Sequence, residues 1–369
     1  MSSDELVTSP LDARHREMGA KMADFAGWSM PVDYPGAGVL AEHEAVRRNV
    51  GVFDVSHLGT VRVEGPGAAQ AVNRCLSNDL GKIAPGRAQY TLCCDETTGG
   101  VIDDMIVYLR SPSALLLVPN CANSTEVVRL LRAGCPPDVT ITDHHQQEAI
   151  IAVQGPRSAD VLAALGLPTP ETYMAFEETT RAATPITVCR SGYTGELGFE
   201  LVVDSAAATP LWHALIEAMA PHAGRVCGLG ARDTLRMEMG YPLWGRELSR
   251  EITPVMARLG WAVGWDKPAF WGREALLAQR AAKSGPLATG LVVTGRGVPR
   301  SGCRVRSADG TDLGVVTSGT MSPTLRQGIA LALLARSAQE GDEVVIDVRG
   351  KEVPARVQRP PFVAPEVSG

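Results

Sequence analysis

The chain lacks most of the patterns that announce a metal or a nucleotide cofactor. Its eight cysteines, Cys75, Cys93, Cys94, Cys121, Cys135, Cys189, Cys227 and Cys303, form no C-x-x-C pair. That removes zinc ribbons and redox dithiols and leaves reduced thiols used as small hydrophobes. The seven histidines show no H-E-x-x-H spacing. His144 and His145 point in different directions whether on strand or loop, so no metal site is expected. "CGLGARD" carries Gly228 and Gly230 but has Asp233 where a dinucleotide fingerprint needs its third glycine. No Walker phosphate loop is present either, so NAD and ATP lose most of their support. No apolar run reaches the roughly 18 residues of a membrane span. The first ten residues, "MSSDELVTSP", are polar and acidic, without a signal-peptide core. A cytoplasmic protein with no membrane partner is expected, its first ten residues a loose tail. A basic excess is missing too. Lys and Arg total 35 against 41 Asp and Glu, a net charge of -6, which argues against a general nucleic-acid binder but leaves room for a local basic pocket.

What is present is a globular composition, 45% hydrophobic and 21% charged over 369 residues, enough for two or three domains. Residues 39–49 read as an amphipathic helix. "VGVFDVSHLGTVRVEG" reads as strands, and "RAQYTLCCD" and "VIDDMIVYLR" as a hairpin joined by "ETTGG". "NSTEVVRLLRAG" reads as a helix capped by Asn123 or Ser124, and "GLGARDTLRMEMGY" as another. Hairpins outnumber clear βαβ units, so the expected class is α+β with mixed and antiparallel sheets. Near residue 284 the composition changes to short strands and turn signals, "ADGTD" and "RGKE" among them. We therefore expect a core over residues 1–284 and a C-terminal β-barrel over 285–369.

Four places could carry chemistry. "SGYTGELGFE" spaces Gly192, Gly195 and Gly198 by three. It is either a hairpin loop needing positive φ, or a loop that lets backbone approach a flat ligand with Tyr193 and Glu200 at hand. Arg232 and Arg236 lie one helical turn apart, on a solvated face or facing an acid or an anion. His57 follows a strand and precedes a glycine, where a polar strand-end cap is the simpler reading. Asp103 and Asp104 sit inside an apolar run, where a buried carboxylate is costly unless paired. On a strand they point to opposite faces. They are therefore not a dyad, and periodicity does not choose between them.

Taken together, "MADFAGWSMPVDY", "FDVSHLG", "GGVIDDMIVY", "VQGP", "SGYTGELGFE", "CGLGARDTLRMEMG" and "TSGTMSPTLRQGIALA" resemble the aminomethyltransferase family, the T-proteins of glycine cleavage. The matches run in order over nearly the whole chain. The resemblance implies two α+β lobes and a β-barrel around a central folate channel. It implies transfer of a one-carbon unit from the aminomethyl-dihydrolipoyl arm of the H-protein to tetrahydrofolate, with release of ammonia and no metal. It also implies that Asp104 is the catalytic acid and that Glu200 holds the pterin edge. Tyr193 would line that pocket, and Arg232 would contact folate or fix Glu200. Tyr90, Val118, Asn120 and Tyr241 would line the channel. Leu58 stands where many relatives have Met and keeps that wall apolar. The tail "PPFVAPEVSG" has no aromatic or basic residue past Phe362, which puts any tail contact with folate in question. Two rivals share the scaffold: another tetrahydrofolate-dependent transferase or demethylase, and a non-catalytic folate-binding factor. The latter branch carries Cys where this chain has Gly192.

Overall fold

The computed structural model describes residues 6–36 and 38–364. Four sheets organise them. Two face each other in the core. One has six strands, in the order Phe176–Arg181, Thr184–Cys189, Gly198–Asp204, Glu148–Gln154, Gly51–Asp54 and Arg225–Cys227. The other has five, in the order Arg87–Cys94, Val101–Ser111, Ala114–Val118, Val61–Glu64 and Thr140–Asp143. Pairing is antiparallel throughout both, except Arg225–Cys227 beside Gly51–Asp54.

Both sheets are buried on both faces. Phe53, Ile150, Ala152 and Val202 of one meet Tyr108, Leu116 and Ala88 of the other. The outer face of the six-stranded sheet is covered by the helix Ser205–Met219, through Leu211, Trp212 and Leu215. The outer face of the five-stranded sheet is covered by Ala68–Cys75 and Ser124–Gly134. This explains why Glu148–Gln154, with its "AIIAV" core, is buried at every residue. A strand between two apolar layers has no solvent face to alternate towards.

The last six strands, from Leu287–Val293 to Lys351–Val357, close a barrel around Val305, Val316, Ile346 and Ala355. The helix Leu229–Met239 runs between core and barrel, bonding to both.

The loose-tail expectation for residues 1–10 fails from residue 6 onward; residues 1–5 lie outside the described residues. Val7–Thr8 pairs in parallel with Trp28–Asp33. Ser9 is buried, and its hydroxyl donates to Asp54, which also binds His15 Nε2 at 2.8 Å. A pairing strand and a buried carboxylate hold what polar composition alone suggested would be free. The expectation about the C-terminal tail falls partly on residues 365–369, also outside the described residues.

Candidate active site

Strand register assembles the first half of the site. Asp104 lies opposite Leu92, and Ile106 lies opposite both Tyr90 and Val118. Tyr90 is thus a diagonal neighbour of Asp104 on the same face, within reach of a long side chain. Its hydroxyl donates to Asp104 Oδ2 at 2.9 Å. Asn120, two residues beyond Val118, donates from Nδ2 to Asp104 Oδ1 at 2.9 Å. Both oxygens are fixed, yet Asp104 is only half-buried.

Asp103 faces the other way and is fully enclosed, at 0% exposure. It accepts bonds from Asn120 N (3.0 Å), Asn120 Nδ2 (2.9 Å) and Asn123 Nδ2 (2.8 Å). The sequence offers Asn123 or Ser124 as the cap of the helix Ser124–Gly134, and the position falls to Asn123. Its side-chain amide, however, is committed to Asp103 and makes no cap bond. Asp103 therefore braces the loop that delivers Asn120 to Asp104. Burial pushes the Asp104 carboxyl up to about 6, against the bonds from Tyr90 and Asn120 that favour its charge. Burial, then the charge of Asp104, raises Asp103 as well. Two adjacent carboxyls of this kind titrate as a pair.

The second half comes from the six-stranded sheet and the helix Leu229–Met239. Glu200 sits opposite Ala152 and Cys189. Ser191 Oγ donates to its Oε2 at 2.5 Å, and its other oxygen accepts no bond from the described residues. In "SGYTGELGFE" only Gly195 has positive φ, +83°. At Gly192 and Gly198 an added Cβ would fall within 2.0 and 2.3 Å of the Gln154 amide. Those two glycines admit a buried glutamine, whose Nε2 donates to Ser191 O at 3.1 Å. The triple spacing thus has two causes.

Tyr193 is pinned through its hydroxyl, which donates to Pro242 O. Its ring stacks on Tyr241 at 5.6 Å, and the Arg232 guanidinium lies 4.7 Å from its centroid. Arg232 and Arg236 have different fates despite their spacing. Arg236 is buried among Asp233 (2.8 Å), Glu247 (2.9 Å), Tyr241 O and Ser318 Oγ. Arg232 has a buried Nη1 with no partner. Burial lowers its pKa, and the charge of Glu200 opposes that. An unpartnered buried donor beside a half-satisfied carboxylate suits a polar ligand edge.

The two halves are close enough to act on each other through their charges. After burial, the charges of Asp104 and then Tyr193 raise the Tyr90 hydroxyl, and that of Asp104 acts on Tyr193. Leu58 and Val118, both half-buried, pack against the layer between the sheets. His57 is buried rather than a surface cap. Burial, then the charge of Arg232, holds it down at about 3, and its Nδ1 has no partner. Sequence reasoning missed Tyr173 and Trp261. Tyr173 is 41% exposed as a whole; partial desolvation of its hydroxyl, then the charges of Tyr241 and Glu200, raise it to about 12. Trp261 stacks on Tyr90 at 5.4 Å and remains 65% exposed. Neither lies in a patterned segment, so only proximity reveals them. Among the described residues no group of three or more His, Cys, Asp or Glu side chains could hold a metal ion, and no helix is long and apolar enough to cross a membrane.

One half-buried acid among aromatic rings, an arginine and a glutamate, in an α+β core with a terminal barrel, defines an enzyme that handles a flat polar small molecule. The profile of the GCVT N-terminal domain matches residues 11–267, and that of the glycine cleavage T-protein C-terminal barrel domain matches residues 288–364. The chain is 59% identical over 360 residues to an aminomethyltransferase of Parafrankia sp., covering 98% of each. It is 54% identical over 361 residues to one of Mycobacterium leprae, covering 97% of each. The crystal structure of glycine cleavage system aminomethyltransferase T from Bartonella henselae matches with a TM-score of 0.91 at 33% identity, over 98% of this chain and 99% of that one. The chain belongs to the glycine cleavage T-protein family of aminomethyltransferases.

Proposed function

We propose that this aminomethyltransferase takes the one-carbon unit from the aminomethyl-dihydrolipoyl arm of the H-protein and passes it to tetrahydrofolate. Ammonia is released and 5,10-methylenetetrahydrofolate is formed in the cytoplasm. The carbon loses its bonds to sulfur and nitrogen and gains two to folate nitrogens. Of the two folate N–H protons, one ends on ammonia and one on the thiol. In this reading residues 1–284 hold the site and residues 285–369 form the barrel that braces it.

The observation that carries the reading is Asp104. Its carboxylate is held by a tyrosine and an asparagine, stays partly open, and titrates at about 6. Such a group is ionised at neutral pH and close enough to it to accept a proton from a weakly basic amine. Glu200 and Arg232 supply a planar polar clamp for a pterin edge, and Tyr193 and Tyr241 an aromatic wall. Tyr90, Asn120, Val118 and Leu58 line the approach. Asp104 orients the reacting folate nitrogen and takes up its proton as the new bond to carbon forms. The test is ammonia release from aminomethyl-loaded H-protein with and without tetrahydrofolate. Folate-stimulated release is expected. Its absence would overturn the reading in favour of a folate-dependent demethylase of a sulfonium or methylamine compound.

A further inference from the structure

The overall charge is acidic, yet one patch gathers more arginines than acids. Arg258 is exposed, and its Nε donates to Ala288 O at 2.7 Å. Arg336 donates from Nε to Gly285 O at 2.9 Å and from Nη2 to Ser284 O at 3.1 Å. Both guanidinium groups are thus anchored on the same connecting segment, 284–288, through carbonyl oxygens. Neither takes part in an ion pair among the described residues, and neither does Lys283, which immediately precedes that segment. Arg359 joins them, with Glu340 at 3.5 Å as its acid. Burial, then the charges of Arg359 and Arg336, disfavour the charged form of Arg258, and the charge of Glu340 partly opposes them. Backbone carbonyls fix where these guanidinium groups sit without neutralising them.

The location matters as much as the charge. Three residues after Arg258 comes Trp261, 65% exposed and stacked on Tyr90. The Tyr90 hydroxyl bonds Asp104. The exposed indole and the reactive carboxylate are therefore linked through Tyr90, and Arg258 lies three residues from that indole in the chain. An exposed tryptophan three residues from an arginine without an ion pair has the composition of an interface hot spot.

We propose that Arg258, Arg336 and the open face of Trp261 form the docking surface for an acidic flank of the carrier protein that presents the reacting arm. This rests on the H-protein reading above. Charge complementarity selects the occupant, because a surface on which three arginines and a lysine outnumber one glutamate steers an acidic partner.

The test is steady-state kinetics of Arg258→Glu/Arg336→Glu with loaded H-protein. The KM for H-protein should rise roughly tenfold or more, with kcat and the KM for tetrahydrofolate unchanged. Turnover of free aminomethyl-dihydrolipoamide should be unchanged. The wild-type KM for H-protein should climb with salt and the variant's should not. Arg258→Lys/Arg336→Lys should restore most of the loss. Lys283→Glu, at a side chain that makes no hydrogen bond or ion pair among the described residues, should raise the same KM even where the double variant folds poorly. An unchanged KM for H-protein in folded charge-reversed enzyme would overturn the proposal. So would a rise only in the KM for a polyglutamylated tetrahydrofolate, which would give the patch to the folate tail, or loss of a wild-type dimer, which would give it to a second copy. If wild-type enzyme turns over neither donor, the functional reading itself fails, and the docking test is not reached.

Discussion

At the scale of single residues the decisive contrast is between two neighbours of identical chemistry. Asp104→Asn removes the proton acceptor but leaves an amide that still accepts from Tyr90. Its fold should survive, and kcat/KM should fall on the order of 10²–10⁴-fold. Asp103→Asn is a different event. It sets a new N–H donor against Asn120 and Asn123 in a site with no exposure, and should cost about 1–3 kcal/mol of stability. Thermal melts and initial rates on the two variants separate these outcomes. Equal losses of rate in two folded variants would refute the assignment. A pH profile adds a second reading. With Asp104 at about 6, kcat/KM should rise with pH through an apparent value near 6 and level off above it. That limb should vanish in Asp104→Asn. Opposite faces for the two acids were legible in the sequence from strand alternation alone. Which face looks towards a ligand was not, because both faces of this strand are apolar and buried.

At the scale of elements the helix Leu229–Met239 is the key piece. One helix carries Arg232 with an unpartnered Nη1, a satisfied Arg236 and a buried Glu238. Glu238 accepts from Arg47 Nη2 (2.8 Å) and Ser322 Oγ (2.5 Å), and lies 3.3 Å from His43 Nε2. Burial alone would raise its pKa. The His43, Ser322 and Arg47 interactions outweigh that and bring it down to about 2. The sign follows. A folded value below the unfolded one, about 4.3, adds stability above the unfolded value. That stability is lost as pH falls from about 4.3 towards 2. Glu238→Gln removes one of the two acids on Arg47, leaving Glu196 and Thr194 O as its partners, and should cost about 1–3 kcal/mol near neutral pH. Melts from pH 6 down to pH 3 should show the wild type converging on the variant; parallel curves would count against this. The helix itself was legible from its periodicity. The fates of Arg232 and Arg236 were not, since i and i+4 share a face but not their neighbours on other elements.

At the scale of the whole molecule the core and the barrel are joined by more than a linker. Glu247 binds Arg236 and Thr317, Arg236 also binds Ser318, and Glu238 binds Ser322 and Thr324. Met237 packs with Ile329, Leu331 and Phe362. Buried polar and apolar contacts of this density favour a single cooperative unit. Denaturant unfolding followed by far-UV circular dichroism and by tryptophan fluorescence should therefore give coincident transitions. Two separated transitions would show that barrel and core unfold independently. The basic docking patch belongs to this scale too, since its arginines come from segments far apart in the chain.

The sequence by itself determined the local elements. Helical and strand periods, turn residues and the change near residue 284 depend on neighbours within a few positions, and those are written in order. It also determined the α+β class and the separation of Asp103 from Asp104. Tertiary structure alone decided that Asn123 serves Asp103 rather than its helix, that residues 6–9 are anchored, and that Gly192 and Gly198 exist for Gln154. It also decided that Trp261 lies over Tyr90. Each depends on register and packing between segments tens to hundreds of residues apart, where residue type fixes what a group can bind but only the fold fixes what it meets.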